Sequence, residues 1–188
     1  MKKKTLISLL TVGVLGVTVI GGAFLFRNHE SGIDSDASVR TAQDILADGI
    51  FIDEGALAGA MDSAGSASLR SDALRAYNLV NEEREDAGLD DLTWSPDLES
   101  TAAVRAEESS RSFSHTRPNG TQWYTVNSQI MGGENLAWGQ TSASQVVKEW
   151  MNSPAHRDNI LYDDFTNVAI ALYQNDDGTN YWALEFGY

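Results

Sequence analysis

The C-terminal stretch "NVAIALYQNDDGTNYWALEFGY" limits the possible folds more than any other part of the chain. Val168, Ile170 and Leu172 alternate with Ala169, Ala171 and Tyr173, and Trp182, Leu184 and Phe186 alternate with Ala183 and Glu185, which is the two-residue period of strands. Asp177-Gly178 between the runs is turn chemistry. The pattern predicts an antiparallel hairpin with at least one deeply buried face.

Upstream the period changes to that of helices. Ser71 can cap a helix carrying Ala73, Tyr77 and Val80 on one face and stopping near Gly88. Ser95-Pro96 sets a capping hydroxyl before a proline at the first helical position, with Asp97 and Glu99 where the helix dipole favours acids, and this helix is expected to reach about Ser110. Ser142 and Gln145 form a capping box before Val146, Val147, Trp150 and Met151, a third helix ending near Asn152. Helices first and a hairpin last argue for an α+β domain with a mainly antiparallel sheet. No internal repeat is visible.

All 5 tryptophans and all 6 tyrosines lie beyond residue 75. A single domain over residues 71–188 follows. Residues 27–70 are rich in Asp, Ser, Gly and Ala and read as an acidic spacer, although Ile45-Leu46 and Ile50-Phe51-Ile52 could form a short helix or dock on the domain. Residues 1–26 open with three lysines and continue as an uncharged run from Thr5 to Phe26, the pattern of a cleaved export signal or a membrane anchor. Either alternative puts the rest of the chain outside the cell, secreted or held on the outer face of the membrane. There is no cysteine, so disulfides cannot support an exported domain, which must rely on its core or on a core plus an ion. The formal net charge of −14, with no basic stripe, makes nucleic acid an unfavourable partner.

Two histidines stand out. In "SPAHRDNIL", Ser153 and Pro154 repeat the cap-then-proline helix start, so Ser153 is the expected N-cap, its hydroxyl accepting the backbone N–H of His156. The positive helix end should keep His156 neutral, the form that binds a metal ion or acts as a base. His115 follows the second helix in "SFSHTRPNG", and Glu134 lies in the apolar "GGENLAWG". Read structurally, these are a loop histidine and a hydrogen-bonded carboxylate. Read functionally, His115, His156 and Glu134 form a two-nitrogen, one-oxygen shell able to hold zinc or another divalent cation. Asn135 and Asn159 are expected near the same cleft, satisfying backbone groups, and Trp138, Trp150 and Trp182 are expected in the core.

The segments "FSHTRPNG", "GENLAWG", "VVKEWMNSPAHRDNIL" and "YWALEFGY", in this order, closely resemble the CAP superfamily of cysteine-rich secretory proteins, insect antigen 5 and plant pathogenesis-related proteins, and within it the cysteine-free bacterial SCP-like branch. The resemblance implies a CAP-type α-β-α sandwich with a cleft lined by two histidines and acids. His115, Glu134 and His156 match three cleft positions by motif. At the fourth, where many eukaryotic members carry a glutamate three residues after the helix tryptophan, this chain has Ser153 after Trp150.

Three functions are compatible with these residues. The first is a binding module for a small apolar or lipid-like ligand, with an optional divalent ion. The second is a structural surface protein whose His/Glu cluster is a polar core. The third is a metal-assisted hydrolase in which His115 and His156 bind the metal and Glu134 serves as ligand or base. Neither a protein partner nor an oligomeric state can be read from the sequence.

Overall fold

The computed structural model describes residues 31–33, 37–47, 49–63 and 67–188. The export run at residues 5–26 lies outside them, and among the described residues no helix is long and apolar enough to cross a membrane.

The elements in chain order are β1 (Gly32–Ile33), β2 (Ser38–Val39), α1 (Ala42–Ala47), α2 (Glu54–Ser63), α3 (Ala67–Asp86), β3 (Thr93–Trp94), α4 (Pro96–Arg111), a 3-10 turn at Trp123–Val126, β4 (Gly133–Trp138), α5 (Ala143–Asn152), α6 (Pro154–Ile160), β5 (Asn167–Gln174) and β6 (Asn180–Gly187). The expected hairpin is β5–β6, with Ile170 opposite Leu184 and Leu172 opposite Trp182. β4 pairs antiparallel with the far side of β6, and β3 adds a parallel pair at the start of β5. The sheet is therefore mostly antiparallel, and it has helices on both faces.

The two-residue period decides which helix each strand residue meets. Val168, Ile170, Leu172, Trp182, Leu184 and Phe186 pack with Ala73, Ala76 and Val80 of α3 and Val146, Val147 and Trp150 of α5. On the opposite face Ala169 packs with Leu98 and Val104 of α4, and Ala183 with Ala106 and Leu136. The small residues on this second face let α4 approach closely. Trp150 and Trp182 are fully buried, as expected of core residues.

The helix starts follow the capping signals. The Ser95 hydroxyl accepts the Leu98 N–H ahead of α4, and the Ser142 hydroxyl accepts the Gln145 N–H ahead of α5. α3 differs from expectation. It begins at Ala67 rather than at Ser71, so Ser71 lies within the helix and its hydroxyl accepts from Arg75. The helix stops before Gly88, which takes φ +78°, the left-handed conformation that glycine adopts without penalty.

The described residues of the expected spacer at 27–70 follow its second alternative, with Ile45 and Leu46 in the short helix α1 and Ile52 bridged to Asn127, and they carry more pairing besides. β1 and β2 both pair with β4, and the helix α2 packs on α4. Composition does not reveal this because the pairing is made by backbone groups, and because the one deep anchor of the arm is a basic side chain. Arg40, only 5% exposed, donates to the carbonyls of Ser128 and Met131 and lies 3.9 Å over the Tyr124 ring.

Candidate functional site

Glu134 and Glu185 are direct cross-strand partners on β4 and β6, both on the α4 face and both without solvent exposure. Placing two carboxyls together in the interior requires a cation. Arg105, one of the buried residues of α4, supplies it, donating from Nε to Glu134 Oε2 at 2.6 Å and from Nη2 to Oε1 at 3.1 Å. Its Nη1 donates to Glu108 at 2.7 Å and its Nη2 to the Ser114 carbonyl at 2.7 Å. On the other side, His115 Nδ1 lies 2.6 Å from Glu134 Oε1.

The network continues away from His115. Arg117 donates to Glu108 at 2.9–3.1 Å and to Asp53 at 2.9 Å, and Asp53 also caps α2 by accepting the Ala56 N–H. An unbroken chain of charged contacts thus runs from the start of α2 to the His115 ring.

The electrostatics separate the two acids. Burial alone would raise the Glu134 pKa, but the charge and hydrogen bonds of Arg105, together with His115, outweigh it and hold Glu134 at about 2. Glu185 moves the opposite way. Burial, reinforced by the neighbouring Glu134 charge, lifts it well above the ordinary carboxylate value.

His156 is fully buried on α6, against the edge of β4. Its carbonyl accepts from Asn135 at 3.0 Å, and Asn159 donates to Asn135 Oδ1 at 2.8 Å and to the Glu134 carbonyl at 3.3 Å. Both asparagines satisfy buried groups in this way, and neither is exposed on a cleft wall. Burial, followed by the charge of His115, lowers His156 to about 4, so it is neutral at pH 7. Neutrality is the expected state, but its causes are burial and the second imidazole rather than the helix end. His115 and His156 are thus electrostatic neighbours.

Ser153 is the N-cap of α6, yet its hydroxyl makes no capping hydrogen bond. It lies 2.7 Å from His156 Nδ1 instead. The expected contact to the His156 backbone N–H is replaced by one to the ring, which fixes the imidazole and turns its Nε2 inward, where it takes no hydrogen bond among the described residues.

Of the expected His115/His156/Glu134 set, the oxygen ligand is already committed to Arg105, while the contacts to the imidazoles are made through Nδ1 and leave His156 Nε2 without a hydrogen bond among the described residues. Both Glu134 oxygens are held by Arg105, one also by His115, and the Nδ1 of each histidine is engaged by Glu134 or Ser153. Among the described residues no group of three or more His, Cys, Asp or Glu side chains is arranged to hold a metal ion.

The motifs found in the sequence sit in the loop after α4 and on β4, α5, α6 and β6 of a helix–sheet–helix sandwich, and residues 77–186 match the model of the cysteine-rich secretory protein (CAP) family. The chain belongs to that family. This CAP chain is 30% identical over 119 residues to the uncharacterized protein YkwD of Bacillus subtilis, covering 60% of this chain and 45% of that protein, so it spans less than half of this relative. An outer surface protein of Borrelia burgdorferi is 26% identical with a TM-score of 0.56, over 63% of this chain and 92% of that one. An extracellular SCP-domain protein from Bacillus anthracis shares the fold at 22% identity and TM-score 0.52, over 61% of this chain and 40% of that one.

Sequence reasoning missed Arg105, Glu108, Arg117 and Glu185. Glu185 had a visible signal, since it is the one carboxylate inside the apolar run at residues 182–186. Arg105 had a similar one. It falls four residues after Thr101 and one before Ala106, among the buried positions of α4.

Proposed function

We propose that this CAP-family chain acts outside the cytoplasmic membrane as a binding module for a small apolar ligand, and that the His/Glu cluster is the polar core of the module rather than a hydrolytic centre. The observation that carries this reading is the state of Glu134. A carboxylate held near pKa 2 by a buried guanidinium is a poor general base at neutral pH, where a useful base titrates close to the working pH. His156, with one ring nitrogen on Ser153 and no solvent exposure, is likewise committed to the interior.

Support for an apolar ligand comes from a separate groove of about 340 Å³ beneath α1. Ile45, Leu98, Ile130 and Tyr188 supply its apolar wall, and Ser95, Gln129 and Asn167 supply polar groups at its margin. A predominantly apolar concavity with a few polar groups, in the size range of small-molecule sites, suits a short acyl chain with a polar head. The relatives named as outer-surface and extracellular proteins, and the lysine-led apolar run at the N-terminus, support a location on the outer face of the membrane.

The test is titration of the purified protein with a fluorescent medium-chain fatty acid, alongside turnover assays on ester and peptide substrates with and without added zinc. Saturable binding without turnover is expected. Zinc-dependent turnover abolished by Glu134→Gln would favour the hydrolase instead.

A further inference from the structure

We propose that the outer edge of β4 is a strand-docking surface whose partner is the pair of arm strands, Gly32–Ile33 and Ser38–Val39 with Arg40, of a second copy of this chain, so that copies associate by exchanging arms. In the monomer this edge is filled by the chain's own arm. Gly32 and Ile33 face Trp138 and Ala137, and Ser38 and Val39 face Glu134 and Gly133. Among the described residues, β1 and β2 pair with no strand but β4.

Three observations point to exchange. First, the arm is held in register by four residue pairs in two separated steps. Pairing this short is marginal by itself, whereas the edge beneath it is a ready template for any extended segment that fits. Second, what makes the fit specific is portable. The Arg40 side chain donates to the Ser128 and Met131 carbonyls over the Tyr124 ring, its N–H donates to the Gly132 carbonyl at 2.6 Å, and its own carbonyl accepts from the Tyr188 hydroxyl. The arm is the one segment shown to satisfy this pocket, so a second copy is the occupant these contacts support.

Third, the connection from arm to body is loosely attached. α1 buries none of its residues. Among the described residues, every exposed large hydrophobic side chain lies between residues 39 and 52: Val39, Leu46, Ile50, Phe51 and Ile52. An arm that unhooks at α1 and crosses to a neighbour carries Val39 with it, while Phe51 and Ile52 stay bonded to Ser128 and Asn127 of their own body beside the hinge, which is the geometry of a domain swap. With a net charge of −14 the copies repel one another, so exchange strengthens with salt.

The absence of cysteine permits a direct test. Full-length chains carrying Ile33→Cys alone and Ala137→Cys alone are mixed in detergent micelles and oxidised. A 33–137 disulfide joining two chains, identified by mass spectrometry and more abundant in 0.3 M than in 0.02 M salt, is the expected result. If the double variant closes this disulfide only within one chain and the mixture yields none between chains, the proposal fails. Should Ala137→Cys not fold, light scattering of the unmodified chain and of Arg40→Ala decides. A dimer weakened at least tenfold by Arg40→Ala supports exchange, and monomers in both samples at high salt overturn it.

Discussion

The Arg105 guanidinium donates to both oxygens of Glu134 with neither side chain exposed to solvent, and this contact connects α4 to β4. Each charge is tolerable inside the domain only because the other is present. Removing one partner of a buried pair costs about 3–5 kcal/mol, because the remaining charge is stranded. Arg105→Met is therefore expected to lower unfolding stability by that amount in a urea titration. Replacing Arg105 and Glu134 together with apolar residues should cost much less than the single change.

Glu185 and His156 give stability opposite pH dependences. The folded-state pKa of Glu185 is raised, so unfolding releases its proton, and this contribution is lost as pH climbs above the ordinary value of 4.5. His156 is depressed from 6.5 to about 4, so its contribution is complete above 6.5 and is lost as pH falls toward 4. Between 4.5 and 6.5 the two slopes oppose each other. Glu185→Gln removes the falling limb, so the variant is expected to gain stability as pH rises through that window. At pH 8 it should exceed the parent in stability, because the parent must then keep a buried carboxyl protonated that the unfolded chain ionises. Chemical denaturation across pH 4–8 reads both effects, and superimposable curves would contradict the assignment.

Ser153→Ala withdraws the hydroxyl from His156 Nδ1 and leaves a buried ring nitrogen unsatisfied, at a cost of about 1–2 kcal/mol. The accompanying sign is a shift of the His156 Nδ1 resonance in the nitrogen NMR spectrum. Loss of stability with an unchanged Nδ1 resonance would show that the hydroxyl caps the backbone after all.

Gly32→Ala probes the arm. A Cβ at position 32 would overlap the Trp138 indole, so the first arm step must lift from β4. Because only two pairs are lost there, the expected cost is about 1–3 kcal/mol, within the range for overpacked contacts. Hydrogen exchange should quicken at Ile33 before it does at Ile170 or Leu184.

Much of this molecule is legible in its sequence, for identifiable reasons. Ile170, Leu172, Trp182 and Leu184 declare a strand period, and Ser95-Pro96 and Ser142 declare helix starts, because these signals are local. His115 and Glu134 meet as the motifs imply. The Ser153 contact differs from expectation because a hydroxyl at an N-cap has two acceptable partners three residues ahead, the backbone N–H and the ring, and only the packed position of His156 selects the ring. Arg105 and Glu185 each leave a local hint, a charge within an apolar run, but their meeting around Glu134 depends on α4 lying across β4 and β6, which no short stretch encodes. The arm escapes it because a backbone ladder leaves little trace in composition.

The central claim separates ligand binding from the histidines. The most direct test is affinity for a fluorescent medium-chain fatty acid measured on the parent chain, on Ile45→Asp in the groove wall, and on His156→Ala in the cluster. The account predicts at least tenfold weaker binding for Ile45→Asp and unchanged affinity for folded His156→Ala. Unchanged affinity in Ile45→Asp together with loss in His156→Ala would contradict it.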